Sequence, residues 1–172
     1  MRKEVELRRH TDNDGDLLTA DGVAAALELG AQLRGGYDVA VSTGAQRATQ
    51  TLGCFLAALG QTIPRGVVVV PGLRSEVEDS WREAYEKAGS GELPALREAD
   101  PELVSEDSAR LGEALRRVLD ELPDGGRALV VGHSPTNEAA ILGLTGGIVP
   151  PLAKGAGVAV VATDDGYEIR PL

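Results

Sequence analysis

Cysteine is almost missing from this chain. Cys54 is the only one in 172 residues, so no intrachain disulfide can form. It lies in the apolar helical run 51–59, where a buried, inert thiol is expected. Aromatic residues are nearly as scarce, at 3%. The core must therefore come from Leu, Val, Ile and Ala, within a hydrophobic content of 42% that is ordinary for a globular chain. Positive charge is also short: 17 Lys and Arg stand against 27 Asp and Glu, for a net charge of −10. That balance argues against nucleic acid, whose phosphate backbone recruits basic surfaces, and against an anionic membrane surface. It leaves room for a small anionic ligand, which needs only a local cluster of arginines. No run of about 18 apolar residues occurs. The first six residues lack the apolar core of a signal peptide. The expectation is a soluble, cytoplasmic chain forming one domain over residues 1–172, a length with room for a full core. Nothing in the glycine-rich stretch 143–157 signals an interface, so the oligomeric state stays open.

Hydrophobic spacing outlines the elements. Residues 4–9 alternate in polarity and predict a first strand, followed by the turn-rich loop Asp12 to Asp16. Thr19 reads as the N-cap of a helix to about Arg34, with Val23, Leu27 and Ala31 on one face and Gly35-Gly36 at its end. Tyr37 to Val41 is a second strand. Ser42-Thr43-Gly44 is placed to cap a helix whose apolar face carries Ala48, Leu52, Phe55, Leu56 and Leu59. Val67 to Val70 is a continuous β-branched run, which predicts a strand buried on both faces.

From Arg74 to Asp107 there are eleven acidic and four basic residues, and the lone Trp81 sits among them. Residues 72–107 read as an excursion of short helices lying over one end of the sheet, or as a merely solvated connection. A helix follows, marked by Leu111, Leu115, Val118, Leu119 and Leu122, then a buried strand Ala128 to Val131. A helix from about Pro135 to Leu144 has proline in its first turn, a position that does not need the missing N–H. Gly157 to Ala162 and Gly166 to Arg170 close the chain as paired strands. Alternating strands and helices predict a three-layer α/β/α sandwich around a mostly parallel sheet.

Ligands of such sheets bind at the carboxyl ends of the strands. Three loops meet there: Arg9-His10, Ser42 to Arg47 and Gly132-His133. The two histidines are the only ones in the chain. A phosphoryl group in transfer carries negative charge on its equatorial oxygens, so its catalysis rests on positioning and fixed positive charge. Arg9 and Arg47 offer planar donor forks that match two oxygens at once. Arg47 falls in the first turn of its helix, where backbone N–H groups point at the same anion. His133 supplies a further hydrogen bond. His10 fits as nucleophile, kept neutral by the neighbouring arginines. It would attack phosphorus in line, and water would hydrolyse the phosphohistidine formed. No metal or other cofactor is called for. The two histidines lie far apart in sequence, without paired cysteines or HExxH spacing, so zinc is not expected.

With those residues in view, the chain resembles the histidine phosphatase superfamily, the phosphoglycerate mutase-like fold. Leu7-Arg8-Arg9-His10-Thr11 is similar to its L-x-R-H-G signature, and Leu18-Thr19-Ala20-Asp21-Gly22 to L-T-x-x-G. Ser42-Thr43-Gly44-Ala45-Gln46-Arg47-Ala48-Thr49-Gln50-Thr51 resembles S-S-P-x-x-R-A-x-Q-T. Val131-Gly132-His133-Ser134-Pro135 resembles the V-G-H-N-P form of the small bacterial phosphohistidine phosphatases. Two positions depart from the pattern. Thr11 stands where the family usually has Gly or Ala, and Thr43-Gly44 replaces Ser-Pro.

The resemblance implies His10 as the phosphorylated nucleophile, with Arg9, Arg47 and His133 around the phosphate. It also implies a carboxylic acid after the third strand to protonate an ester leaving group. Glu76 lies nearest the family position, with Glu78 as the alternative and Glu83 also available. The expected partner is a phosphorylated small molecule, which makes the chain a metabolite phosphomonoesterase. The alternatives are a phosphatase of protein phosphohistidine and, from another class, a non-catalytic phosphate-binding regulatory module. A mutase is less expected, because few spare basic residues remain for a second phosphate.

Overall fold

The computed structural model describes residues 2–172. In chain order the elements are β1 (Lys3–Arg9), β2 (Asn13–Asp14), β3 (Leu17–Leu18), α1 (Ala20–Gln32), β4 (Val39–Ser42), α2 (Gln46–Leu59) and β5 (Val67–Val69). A 3-10 turn at Pro71–Leu73 leads to α3 (Glu78–Ala88), α4 (Leu93–Ala99), α5 (Pro101–Glu121), β6 (Arg127–Gly132), α6 (Thr136–Thr145), β7 (Gly157–Thr163) and β8 (Gly166–Pro171). The main sheet runs β5-β4-β6-β1-β7-β8. Its first four strands are parallel, and β7 and β8 are antiparallel additions.

Strand period two divides the core between two layers. Val39, Val41, Ala128, Val130, Val5 and Leu7 point to one face, where they meet side chains of α3 to α6. Ala40, Leu129 and Val131 point to the other, against Ala26 of α1 and Ala48, Leu52 and Phe55 of α2. This is the expected three-layer sandwich. The excursion holds α3 and α4, and residues 101–107 are the first turns of the long α5.

Several local expectations are corrected, among them the cap of α2, which starts from Ala45 with no side-chain cap rather than from Ser42-Thr43-Gly44. Thr19 does cap α1, its hydroxyl accepting from the Gly22 N–H at 3.0 Å. The buried face, however, is Gly22, Ala26 and Gly30, while Val23, Leu27 and Ala31 face solvent. The reason is close approach. A Cβ on Gly30 would lie 2.7 Å from the Phe55 Cα, so only the small face of α1 can seat on α2.

The run at Val67 is also not buried on both faces. Val67, Val68 and Val69 are 54%, 41% and 54% exposed, because β5 ends the sheet, and only Val70, past the strand, packs against the core. Val67→Lys is therefore expected to change stability by no more than about 0.5 kcal/mol in urea unfolding. A strand covered on both faces would lose several times that. Cys54 is half-buried rather than sealed, and burial raises its thiol above the ordinary range.

Candidate active site

Register builds the centre of the site. β1 and β6 are parallel neighbours with Arg9 opposite Gly132. One step further, the His10 N–H donates to the Gly132 carbonyl at 3.0 Å, and His10 comes level with His133. Their ring centroids are 5.4 Å apart. On the other side β4 places Ser42 opposite Val131. Thr43 then reaches His133, with 2.8 Å between its Oγ1 and the His133 Nε2. Gly132 is needed for this turn. A Cβ there would stand 2.3 Å from the Asn137 Oδ1, and Asn137 Nδ2 donates to the Arg8 carbonyl at 3.1 Å, tying α6 to β1.

The His10 ring has a defined role for each nitrogen. Its Nδ1 lies 2.8 Å from the Thr11 carbonyl oxygen, which can only accept. Nδ1 therefore carries the proton, and Nε2 keeps a free lone pair. Both rings stay neutral near pH 7. His10 is lowered to about 4, chiefly by burial, with Arg47, Arg9 and Lys154 adding to it and the Thr11 carbonyl opposing. His133 is lowered to about 3, again chiefly by burial, then by Arg47, His10 and Arg74. The neutrality expected from arginines thus owes more to shelter, since the residues are only 5% and 7% exposed.

Thr11, the departure from the usual Gly, does not enter the space beside His10. Its hydroxyl donates to the Gly22 carbonyl at 2.8 Å and its N–H to the Thr51 hydroxyl at 3.2 Å, so it braces β1 against α1 and α2. Arg9 donates from Nη1 to the Leu152 carbonyl at 2.9 Å, and its charge acts on His10.

Arg47 is the second residue of α2 and makes contacts no sequence pattern announced. Its Nη1 donates to Asp16 at 2.7 Å, and the backbone N–H groups of Gln46 and Arg47 donate to the same carboxylate at 3.3 and 3.4 Å. Desolvation pushes the Asp16 carboxyl up, but the N–H groups at the positive end of α2 and the Arg47 guanidinium together outweigh it and hold the group below the usual range. Asp16 belongs to the turn-rich loop, and only the folding of the β2–β3 hairpin brings it to α2.

A cavity of about 250 Å³ opens beside His133 and Arg47. Its walls include Arg47, His133 and Pro135 on one side, and Glu78, Trp81 and Tyr85 of α3 on the other. Trp81 fixes α3 in place, its indole N–H donating to the buried Asp107 of α5 at 2.6 Å. Glu78 lies one helical turn before Trp81, on the same face. Its carboxylate accepts from Arg74 Nε at 2.8 Å and stands 4.0 Å from Arg47.

Glu76, the acid expected first, is not brought here. It precedes α3, its side chain is 77% exposed, and it pairs with Arg110 at 2.9 Å. Glu83 is exposed on α3. Sequence reasoning also missed Glu138, a carboxyl buried in the first turn of α6. Its four-residue spacing from Ser134 was the available signal, and the two are hydrogen bonded at 2.7 Å.

Two neutral imidazoles within the field of Arg9 and Arg47, at the carboxyl ends of adjacent parallel strands, define a class. The family model of the histidine phosphatase superfamily (branch 1) matches residues 2–154, and the chain belongs to that family. Members are phosphatases or mutases, and the activity of this chain is of that type. Comparison with curated proteins found no match. Among solved structures, the phosphoglycerate mutase of Bacillus anthracis str. Sterne is similar, with TM-score 0.76 at 20% identity, covering 99% of this chain and 92% of that one. The phosphoserine phosphatase of Entamoeba histolytica, solved with 3-phosphoglyceric acid, has TM-score 0.73 at 18% identity, covering 97% and 94%. The protein histidine phosphatase SixA, solved with tungstate, has TM-score 0.59 at 19% identity, covering 97% and 94%. At these identities the likeness establishes the fold. Among the described residues no helix is long and apolar enough to cross a membrane.

Proposed function

We propose that the chain is a phosphatase that hydrolyses the phosphomonoester of a small metabolite through a phosphohistidine on His10. The observation that carries this is the His10 ring itself. It is neutral, has its proton held on Nδ1 by Thr11, and faces His133 within a field set by Arg9 and Arg47. In the first step the Nε2 lone pair forms the N–P bond while the P–O bond to the leaving group breaks. The guanidinium groups and His133 hold the equatorial oxygens, so the positive field comes from the chain's own residues. Water then attacks phosphorus, the N–P bond breaks, and the imidazole keeps its electron pair.

The departing alkoxide needs a proton. Glu78 is the carboxyl on the cavity wall nearest Arg47, and it takes the acid role in this reading in place of Glu76. The cavity bounded by Trp81, Tyr85 and Pro135 suits a small organic leaving group better than a folded protein surface. Glu78→Gln is expected to slow alkyl phosphate turnover by about a hundredfold. It should spare 4-nitrophenyl phosphate, whose leaving group departs without help. Steady-state rates on both substrates check this, and equal losses on both would remove Glu78 as the acid.

The second reading is a phosphatase of protein phosphohistidine. The Gly132-His133-Ser134-Pro135 turn and the fold likeness to SixA favour it. A phosphohistidine substrate loses a neutral imidazole and depends less on an acid. Faster turnover of a phosphohistidine peptide than of any alkyl phosphate, unchanged in Glu78→Gln, would select this reading over the first.

A further inference from the structure

The chemistry above leaves Glu138 unused, a buried acidic side chain with an unpartnered oxygen. Glu138 is only 1% exposed. A carboxyl in that position is costly unless its oxygens are partnered. Oε1 accepts from the Ser134 hydroxyl at 2.7 Å and from the Leu152 N–H at 3.4 Å. Oε2 has no hydrogen-bond partner among the described residues, and neither has the buried Arg9 Nε. Leu152 joins the two side chains. Its N–H serves Glu138, and its carbonyl accepts from Arg9 Nη1 at 2.9 Å. The same Glu138 oxygen also holds Ser134, the residue next to His133.

We propose that Glu138 is a positioning residue for the phosphate site, holding the His133 turn through Ser134 and Arg9 through Leu152, and that ionisation of its carboxyl weakens the hold of Arg9 on a bound phosphate. This rests on the phosphate-site reading given above. Neutral Glu138 leaves the Arg9 charge free for the ligand. Ionised Glu138 puts a second anion in the same sheltered field, and the two compete for one guanidinium.

The groups that act on Glu138 are few. Arg9 comes from the end of β1, Ser134 from the turn before α6, and the Leu152 N–H from the loop before β7; of these only Arg9 is charged. His133 is neutral across the relevant range. Burial raises the Glu138 carboxyl to about 7, which places the change near neutral pH.

Inorganic phosphate titrated calorimetrically into wild type and Glu138→Gln, from pH 5.5 to 8.5, tests this. Glutamine has nearly the same shape, and its amide oxygen still accepts from Ser134 and Leu152, but it does not ionise. The ionisation of phosphate itself cancels in the ratio of the two dissociation constants. That ratio, wild type over variant, is expected near one at pH 5.5 and about fivefold at pH 8.5. A ratio that stays flat or falls with pH, with binding intact, overturns the proposal and leaves the phosphate site standing. Absence of phosphate binding by wild type at every pH overturns the phosphate site and the proposal together.

Should Glu138→Gln fail to fold, Ser134→Ala serves. It removes the hydroxyl that favours the ionised carboxyl, so the change in affinity relative to wild type should show the transition displaced to higher pH. An unmoved transition counts against the proposal.

Discussion

Replacing His10 with alanine is expected to lower phosphomonoester turnover by about 10⁴-fold or more, the scale seen when a covalent nucleophile is removed. The imidazole has one free nitrogen, Nε2, and burial, with the field of Arg47 and Arg9, keeps it unprotonated. The loss should fall on kcat rather than on phosphate affinity, because the arginines remain. Structural damage should be limited, since the ring makes one hydrogen bond, to the carbonyl of the next residue. Acid-labile, base-stable label from a ³²P-labelled substrate should appear on wild type and be missing from His10→Ala. Activity within tenfold of wild type would place the nucleophile elsewhere. Protonation of His10 removes the lone pair, so kcat/KM of wild type should hold down through pH 5 and fall as pH drops through about 4.

Glu138→Gln should be more stable than wild type by roughly 3 kcal/mol at pH 8 and no more stable at pH 4. Burial holds the carboxyl at about 7 in the folded chain, against 4.5 for an ordinary glutamate. Between those values the native state keeps a proton that the unfolded chain has released. Stability from protonated Glu138 is therefore full below about 4.5 and is lost as pH rises through about 7. At about 1.4 kcal/mol per pH unit, that window gives the stated difference, undiminished by solvent because the side chain is sealed. Glutamine is neutral throughout and escapes the loss.

His10 and His133 act with the opposite sign. Their lowered values give stability that is present above about 6.5 and lost as pH falls. Both proteins retain them, so they cancel in the comparison. Urea unfolding midpoints at pH 4 and pH 8 check the result. Equal midpoints at pH 8 would mean that burial does not raise the Glu138 carboxyl in the fold.

What the chain alone determined was local and periodic. Alternation marked β1, helical spacing marked the buried faces of α2 and α5, and Thr19 marked the start of α1, whose end fell at Gln32, before the glycines. Strand ends carrying Arg9-His10 and Gly132-His133 predicted a shared ligand end, and ordered motifs pointed to the family. These features survive because each depends on neighbours a few residues away.

Tertiary structure decided the rest. Val67 to Val69 look like an interior strand, but interior status needs a strand beyond β5, and among the described residues the sheet ends there. The seated face of α1 was chosen by the approach of Phe55 to Gly30, not by hydrophobicity. Glu76 and Glu78 differ by two residues. Capture of Glu76 by Arg110, and anchoring of Trp81 by Asp107, turned Glu78 toward Arg47. Asp16 and Glu138 look like surface charges in sequence. They gained partners only because the hairpin folds onto α2 and the loop before β7 closes over α6. Charge finds its partners through space, and only the packed chain sets those distances.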